Sequence, residues 1–440
     1  MKAAADRSYF PQWTLRTEGV VAPDERLPAP QSIALGLQHV VAMFGSTVLA
    51  PLLMGFDPNV AILFSGIGTL IFFVLVGGRV PSYLGSSFAF IAVVIAATGY
   101  SGSGPNPNLG VALTGIIAAG TLYAIIGLIV MAAGYRFIDR LMPPVVTGSI
   151  VAVIGLNLAP IAVKGISGSP FDAWMGIATI VLVGLVAVRA PGLARRLPIL
   201  LGGIAGYLLY ALFTNVLGMG KPIDFAGVAN AAWLGVPNFT APVWNANAIA
   251  LIAPVAVVLV AENLGHIKAV AAMTGRDLDR YLGRAFVGDG LATMVAGSGG
   301  GTGGTTYAEN IGVMAVTKVY GTLLFVVAAL FAILLGFSPK FGALISTIPG
   351  PVLGGLSIVV FGLITATGGR IFVQNRVDFS RPRNLVTAAV TLTIGAGDLA
   401  LKLGGFTLGG IGTATFGAII LYQLFRDDET QASSEQASVP

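Results

Sequence analysis

The chain has 440 residues, of which 55% are apolar and only 10% charged. A soluble protein carries about 25% charged residues, so 24 Lys plus Arg and 19 Asp plus Glu are too few to coat a globule; a cytosolic enzyme, a disordered chain and a nucleic-acid binder are excluded. The absence of cysteine removes disulfides, thiolate metal sites and cysteine nucleophiles together, which leaves a polytopic membrane protein.

Residues 1–30 are polar and punctuated by Pro11, Pro23, Pro28 and Pro30, and read as a cytosolic tail rather than a cleaved signal peptide. Beyond them apolar stretches recur between short Gly, Pro, Asn and charged breaks. A spanning helix needs roughly 20 apolar residues. On that measure fourteen spans are expected, over 32–54, 58–77, 83–97, 109–133, 144–163, 173–190, 197–217, 247–268, 283–298, 303–317, 319–337, 349–368, 384–398 and 407–425. Residues 426–440 form a second polar tail.

Charge gives an independent check, because short cytoplasmic loops are enriched in Lys and Arg. With the N-terminus inside, fourteen spans put 20 of the 24 basic residues on the cytoplasmic side and leave only Lys164, Lys221, Lys340 and Lys402 outside. One span more or fewer would scramble that split. The expected protein is therefore multi-pass in the plasma (inner) membrane with both termini cytoplasmic, and its basic excess records orientation.

Two stretches resemble one another. Pro144–Leu156 aligns without gaps on Pro351–Leu363 at an offset of 207, and Gly85-Ser-Ser-Phe-Ala89 matches Gly304-Thr-Thr-Tyr-Ala308 at an offset of 219. Both pair span n with span n+7. Seven is odd, so the second copy sits inverted, the arrangement of many secondary transporters, whose substrate binds near the bilayer midplane between the repeats. Tyr83–Ile91 and Gly301–Asn310 hold too few apolar residues to cross as ordinary helices. Each is expected to be a short extended piece followed by a half-helix whose free N–H groups and positive dipole end face the centre. The expected fold is an all-α membrane protein of 14 transmembrane segments in two inverted 7-segment repeats, with extended pieces breaking segments 3 and 10.

An ionisable group inside the membrane costs at least about 2.5 kcal/mol and marks function by default. Glu262, late in span eight, and Glu309, closing the extended piece of span ten, are such groups. His266 lies four residues beyond Glu262 and shares its helix face. The structural alternatives are a polar pair cementing helices for Glu262 and His266, and a helix cap for Glu309. His39 beside Gln38 reads as either a hydrogen-bonded core residue or a site residue, and Asp289 as the partner of Arg284 in an ion pair. Phe88 and Tyr307 occupy matched positions in the two repeats, suited to packing or to stacking on a flat ligand. The glycine-rich run 297–303 lacks the Gly-Lys-Ser/Thr and βαβ context of a phosphate loop.

These residues carry a resemblance. Gln38-His39, Ala42-Met-Phe-Gly45, Tyr83-Leu-Gly-Ser-Ser-Phe-Ala-Phe90, Ala261-Glu-Asn-Leu-Gly-His266 and above all Glu309-Asn310-Ile-Gly312-x4-Thr317 are similar to motifs of the nucleobase–ascorbate transporter (nucleobase:cation symporter) family, specifically its bacterial uracil/pyrimidine permease branch. The resemblance runs from about residue 31 to 425. It implies a core domain of 31–140 and 247–340, which holds the substrate, and a gate domain of 141–246 and 341–425. It also implies import of uracil or a related pyrimidine by proton symport, with no cofactor and with sodium as the alternative ion. Carried over residue by residue, Glu262 and Glu309 bind the base, Ser46, Phe88, Tyr307 and Ala308 line the pocket, and His266 joins Glu262 in proton coupling. A homodimer is implied as well. Two positions depart from the pattern: Gly303, where the branch carries proline, and Phe361, where some members carry tyrosine.

The alternatives are a xanthine/purine permease of the same family, an anion exchanger, a facilitative channel or an intramembrane carboxylate enzyme. An exchanger needs a cationic residue at mid-depth, and the sequence places none there. An enzyme needs a nucleophile or metal set beside the carboxylates, and none accompanies them.

Overall fold

A computed structural model describes residues 8–100, 102, 104–192, 194–403 and 406–425; the C-terminal tail lies outside the described residues. Two-residue strands β1 (Thr14–Leu15) and β2 (Glu25–Arg26) pair in parallel ahead of the first helix. The N-terminal half then runs α1 (Ala29–Met54), α2 (Pro58–Leu75), strand β3 (Leu84–Ser86), α3 (Ile91–Thr98), α4 (Leu109–Ala133), α5 (Pro144–Ile166), α6 (Pro170–Arg189) and α7 (Pro198–Ala211). The C-terminal half runs α8 (Val255–Thr274, led by the short helix Ala246–Ile252), α9 (Leu282–Gly299), strand β4 (Gly304–Thr306), α10 (Ala308–Thr317), α11 (Leu323–Gly336), α12 (Gly350–Gln374), α13 (Pro382–Ala396) and α14 (Gly410–Leu424).

Each of the fourteen predicted stretches therefore contains a helix. Among the described residues eight are long and apolar enough to cross a bilayer by length and composition, or nine if α11 and the short helix Pro339–Ser346, bent 81° from it, count as one. Proline opens α2, α5, α6, α7 and α13, where its fixed φ suits the first turn and its missing N–H is not needed. The Asp57 carboxylate caps α2 by accepting the Asn59 N–H at 2.8 Å.

Packing follows a regular plan. α4 packs on α9 and α2 on α11; elsewhere α5 packs on α12, α6 on α7 and α13 on α14. Exchanging n for n+7 turns the pair α2–α11 into α9–α4 and the pair α6–α7 into α13–α14. Between helices in a bilayer, small residues allow the close approach that dispersion and hydrogen bonds require. At Gly120 of α4 and Gly290 of α9 an added Cβ would lie 2.7 and 2.6 Å from the other's carbonyl oxygen.

The polar segment ahead of α1 is not a loose tail over its described part. Val21 and Leu27 are buried with Val319 and Leu324 in a small second core, and Phe10 and Trp13 stack on Phe73 at the end of α2.

Candidate functional site

The two broken segments meet. β3 and β4 pair antiparallel in the register Leu84 with Thr306, Gly85 with Thr305 and Ser86 with Gly304. The ladder is continued by the Ser87 N–H donating to the Gly303 carbonyl at 2.9 Å and the Tyr307 N–H to the Tyr83 carbonyl at 3.0 Å. Each strand leads straight into a helix, β3 through the turn Phe88–Phe90 into α3 and β4 into α10. Because the strands are antiparallel, the half-helices leave in opposite directions and their positive ends face the same central ribbon.

Glycine makes the ribbon possible. A Cβ at Gly85 would lie 2.4–2.6 Å from three atoms of the Tyr307 ring, whose hydroxyl donates to the Ser86 carbonyl at 3.0 Å and accepts from Thr47 Oγ1 at 3.2 Å. Held at its tip, that ring cannot retreat. Gly85→Ala is expected to destabilise the protein by about 1–3 kcal/mol, read as a lowered thermal midpoint in detergent; an unchanged midpoint refutes the packing argument. At Gly303 a Cβ would lie 2.2 Å from the Phe90 ring, so the proline of the resembling branch has no room here.

Both carboxylates stand at this ribbon. Glu309 occupies the first turn of α10, where an acid is favoured by the helix dipole, and accepts a hydrogen bond from the Ser46 hydroxyl of α1. Glu262 of α8 accepts from Ser87 Oγ at 3.2 Å. Each acid, from the C-terminal half of the chain, is thus met by a serine from the N-terminal half. Ser46 is fully buried, Glu262 and Glu309 are half-buried, and Ala308 beside them is exposed. A Cβ at Gly312, one turn beyond Glu309, or at Gly265 of α8 would meet nothing within 4 Å, so both positions border open space.

The predicted aromatics are both buried. Tyr307 covers Gly85, and Phe88 meets Phe361 of α12 edge-on with centroids 5.9 Å apart. Phe361, singled out as a departure, thus joins α12 to the broken segment.

Among the described residues His266 is joined to Thr306, not to Glu262: its Nδ1 lies 2.9 Å from Thr306 Oγ1. The Thr306 hydroxyl donates to Asn263 Oδ1 at 3.2 Å, which spends its only proton, so His266 Nδ1 must carry the hydrogen. Asn263 Nδ2 in turn donates to the Tyr123 hydroxyl at 2.9 Å and to Asp289 Oδ2. This corrects the ion pair expected between Asp289 and Arg284. Five residues along a helix rotate by about 140°, so the two face different ways: Asp289 is buried beneath Asn263, while the Arg284 guanidinium covers the Tyr9 ring at 5.4 Å. His39 proves a core partner of Asn310, whose Nδ2 donates to the His39 carbonyl at 3.1 Å and lies 3.0 Å from its Nδ1.

Sequence reasoning did not single out Ser87, Thr306 and Asn263 as partners, although all three lie in motifs it quoted. Tyr123 carried no signal at all.

Comparison with known proteins gives this geometry a family. The family model Xan_ur_permease, described as Permease family, matches residues 30–404. RutG of Escherichia coli (strain K12), a pyrimidine permease by name, is 66% identical over 419 residues, covering 94% of this chain and 95% of its own. A uracil permease of Paenibacillus larvae is 42% identical, covering 92% and 96%, and that of Escherichia coli (strain K12) is 37% identical, covering 96% and 99%. Among solved structures, the transmembrane domain of the cyanobacterial bicarbonate transporter BicA superposes with a TM-score of 0.57 at 15% identity, covering 89% of this chain and 96% of that domain. SLC26A9 gives 0.62 at 14% identity, covering 90% and 66%. At such identities these two show a shared fold and nothing of the cargo. The family model and relatives 37–66% identical across nearly their whole length place the ribbon and its two acids in a multi-pass membrane transporter: the chain belongs to the xanthine/uracil permease family.

Proposed function

We propose that this protein imports uracil or a related pyrimidine base across the inner membrane by proton symport, through alternating access. The observation that carries the reading is the pair of half-buried carboxylates at the facing ends of two half-helices, each accepting from a serine hydroxyl. Uracil presents two N–H donors and two carbonyl acceptors on a flat ring. Carboxylates accept from the N–H groups, half-helix amides donate to the carbonyls, and apolar side chains cover the faces. The names of the relatives support a nucleobase as cargo, and pyrimidine rather than purine.

In this reading fourteen segments form two inverted repeats, supported by the helix pairs that interchange when n becomes n+7. Segments 1–4 and 8–11 form the substrate-holding core, and segments 5–7 and 12–14 the gate. Protonation of Glu262 accompanies binding from outside, so the site crosses without net charge; His266 supports the step from the far side of Thr306. Both termini are cytoplasmic, and two copies associate as a homodimer.

Labelled uracil uptake into proteoliposomes tests the reading. Uptake is expected to rise several-fold with an inward proton gradient and to be competed by uracil far better than by xanthine. Preference for xanthine transfers the assignment to the purine branch, and uptake indifferent to the gradient removes proton coupling.

A further inference from the structure

The segment ahead of α1 is built as a strap across one end of the molecule. Near Tyr9 it grips the end of α2: the Tyr9 hydroxyl lies 2.8 and 3.0 Å from the Val74 and Leu75 carbonyls. Near Val21 it grips the junction of α10 and α11. The Val21 N–H donates to the Lys318 carbonyl at 3.0 Å, and the Tyr320 N–H returns a bond to the Val21 carbonyl at 2.8 Å. Asp24 adds an ion pair to Arg276 at 2.7 Å.

One hydroxyl gathers these threads. Thr322, fully buried at the start of α11, accepts from Trp13 Nε1 at 2.8 Å and stands 2.9 Å from the Gly78 carbonyl and 3.1 Å from the Pro23 carbonyl. It ties the strap, the end of α2 in the first repeat and the start of α11 in the second.

The second repeat opens the same way. The segment ahead of α8 sends the Thr240 N–H to the Gly299 carbonyl at the end of α9 (3.4 Å) and the Val243 N–H to the Gly110 carbonyl at the start of α4 (2.8 Å). The ends of α2 and α9 correspond under n+7, as do the starts of α4 and α11. Each repeat therefore begins with a strap that binds its own second helix to the fourth helix of the other.

We propose that Thr322, with the strap it anchors, is a positioning residue that sets where α10 presents Glu309. The reasoning rests on Glu309 as a base-binding group. α10 has ten residues, about 15 Å of helix, with Glu309 in its first turn and the strap bonded to Lys318 at its end. Such a short rod has no internal slack, so movement of the anchored end moves the carboxylate.

The test uses the full chain and two readouts: uracil affinity by calorimetry, and the maleimide labelling rate of a cysteine introduced by Gly312→Cys, which the cysteine-free chain makes background-free. Thr322→Val is expected to weaken uracil binding about tenfold, the scale of one buried hydrogen-bonded group, and to change labelling at least about threefold. Thr322→Ser restores both to within about twofold of the parent protein. A Thr322→Val protein that melts like its parent and shows unchanged affinity and labelling overturns the proposal. If that variant does not fold, Trp13→Phe decides, since it keeps an aromatic ring against Phe73 and removes the Nε1–H donor along with part of the indole; unchanged labelling there also overturns it. A parent protein that binds no uracil refutes the substrate reading instead, while the labelling arm still decides the strap.

Discussion

Glu262→Gln is expected to abolish uracil uptake driven by a proton gradient while leaving the protein folded. Gln has nearly the volume of Glu, and its carbonyl oxygen can still accept from Ser87 Oγ, which lies 3.2 Å from the Glu262 carboxylate. The local structure therefore loses little. What the amide cannot do is take up and release a proton, and in the proposed cycle that is the step that ties base movement to the gradient. Uptake in proteoliposomes with an imposed gradient should fall to the level of empty vesicles, with a thermal midpoint within a few degrees of the parent protein. Full gradient-driven uptake by the variant would sink the coupling scheme and return Glu262 to a purely structural role.

Glu309→Ala has the second large effect, on affinity. The side chain stands in the first turn of α10, accepts from the buried Ser46 hydroxyl and borders the open space at Ala308. Removing it takes away an acceptor for a ring N–H, and hydrogen bonds to charged groups contribute about 1.5–3 kcal/mol each. Binding measured by calorimetry should weaken about 10–100-fold. A smaller cost falls on stability, since an acid at a helix N-terminus is worth about 0.3–1 kcal/mol and Ser46 is left with an unmet hydroxyl. Unchanged affinity would remove Glu309 from the site and leave it as a cap of α10.

The contrast between these two residues and Asp289 shows what can be read before a structure is seen. All three are acids within apolar stretches. Glu262 and Glu309 stand out in the sequence because a charge in such surroundings demands a reason, and both stand at the central ribbon. Nearness in the chain pairs Asp289 with Arg284, but helix rotation turns Asp289 beneath Asn263. His266 shows the same limit. Its spacing from Glu262 fits a shared face, yet Thr306 lies closer to its ring nitrogen because β4 passes alongside α8.

Composition and hydrophobic length alone determined that this is a helical membrane protein, which stretches carry its helices, that two of them are broken by short extended pieces, and which carboxylates stand out. Those are properties of local sequence: the cost of exposing polar backbone or charge to lipid is set residue by residue. Only the tertiary structure decided the partners. Ser46 and Glu309 are 263 residues apart, and Ser87 and Glu262 are 175 apart. The straps that join α2 to α11 and α9 to α4 likewise cross between the two halves of the chain. A hydrogen bond is decided by position in space and by which competing group arrives first. No pattern within one helix records what a distant part of the chain will bring against it.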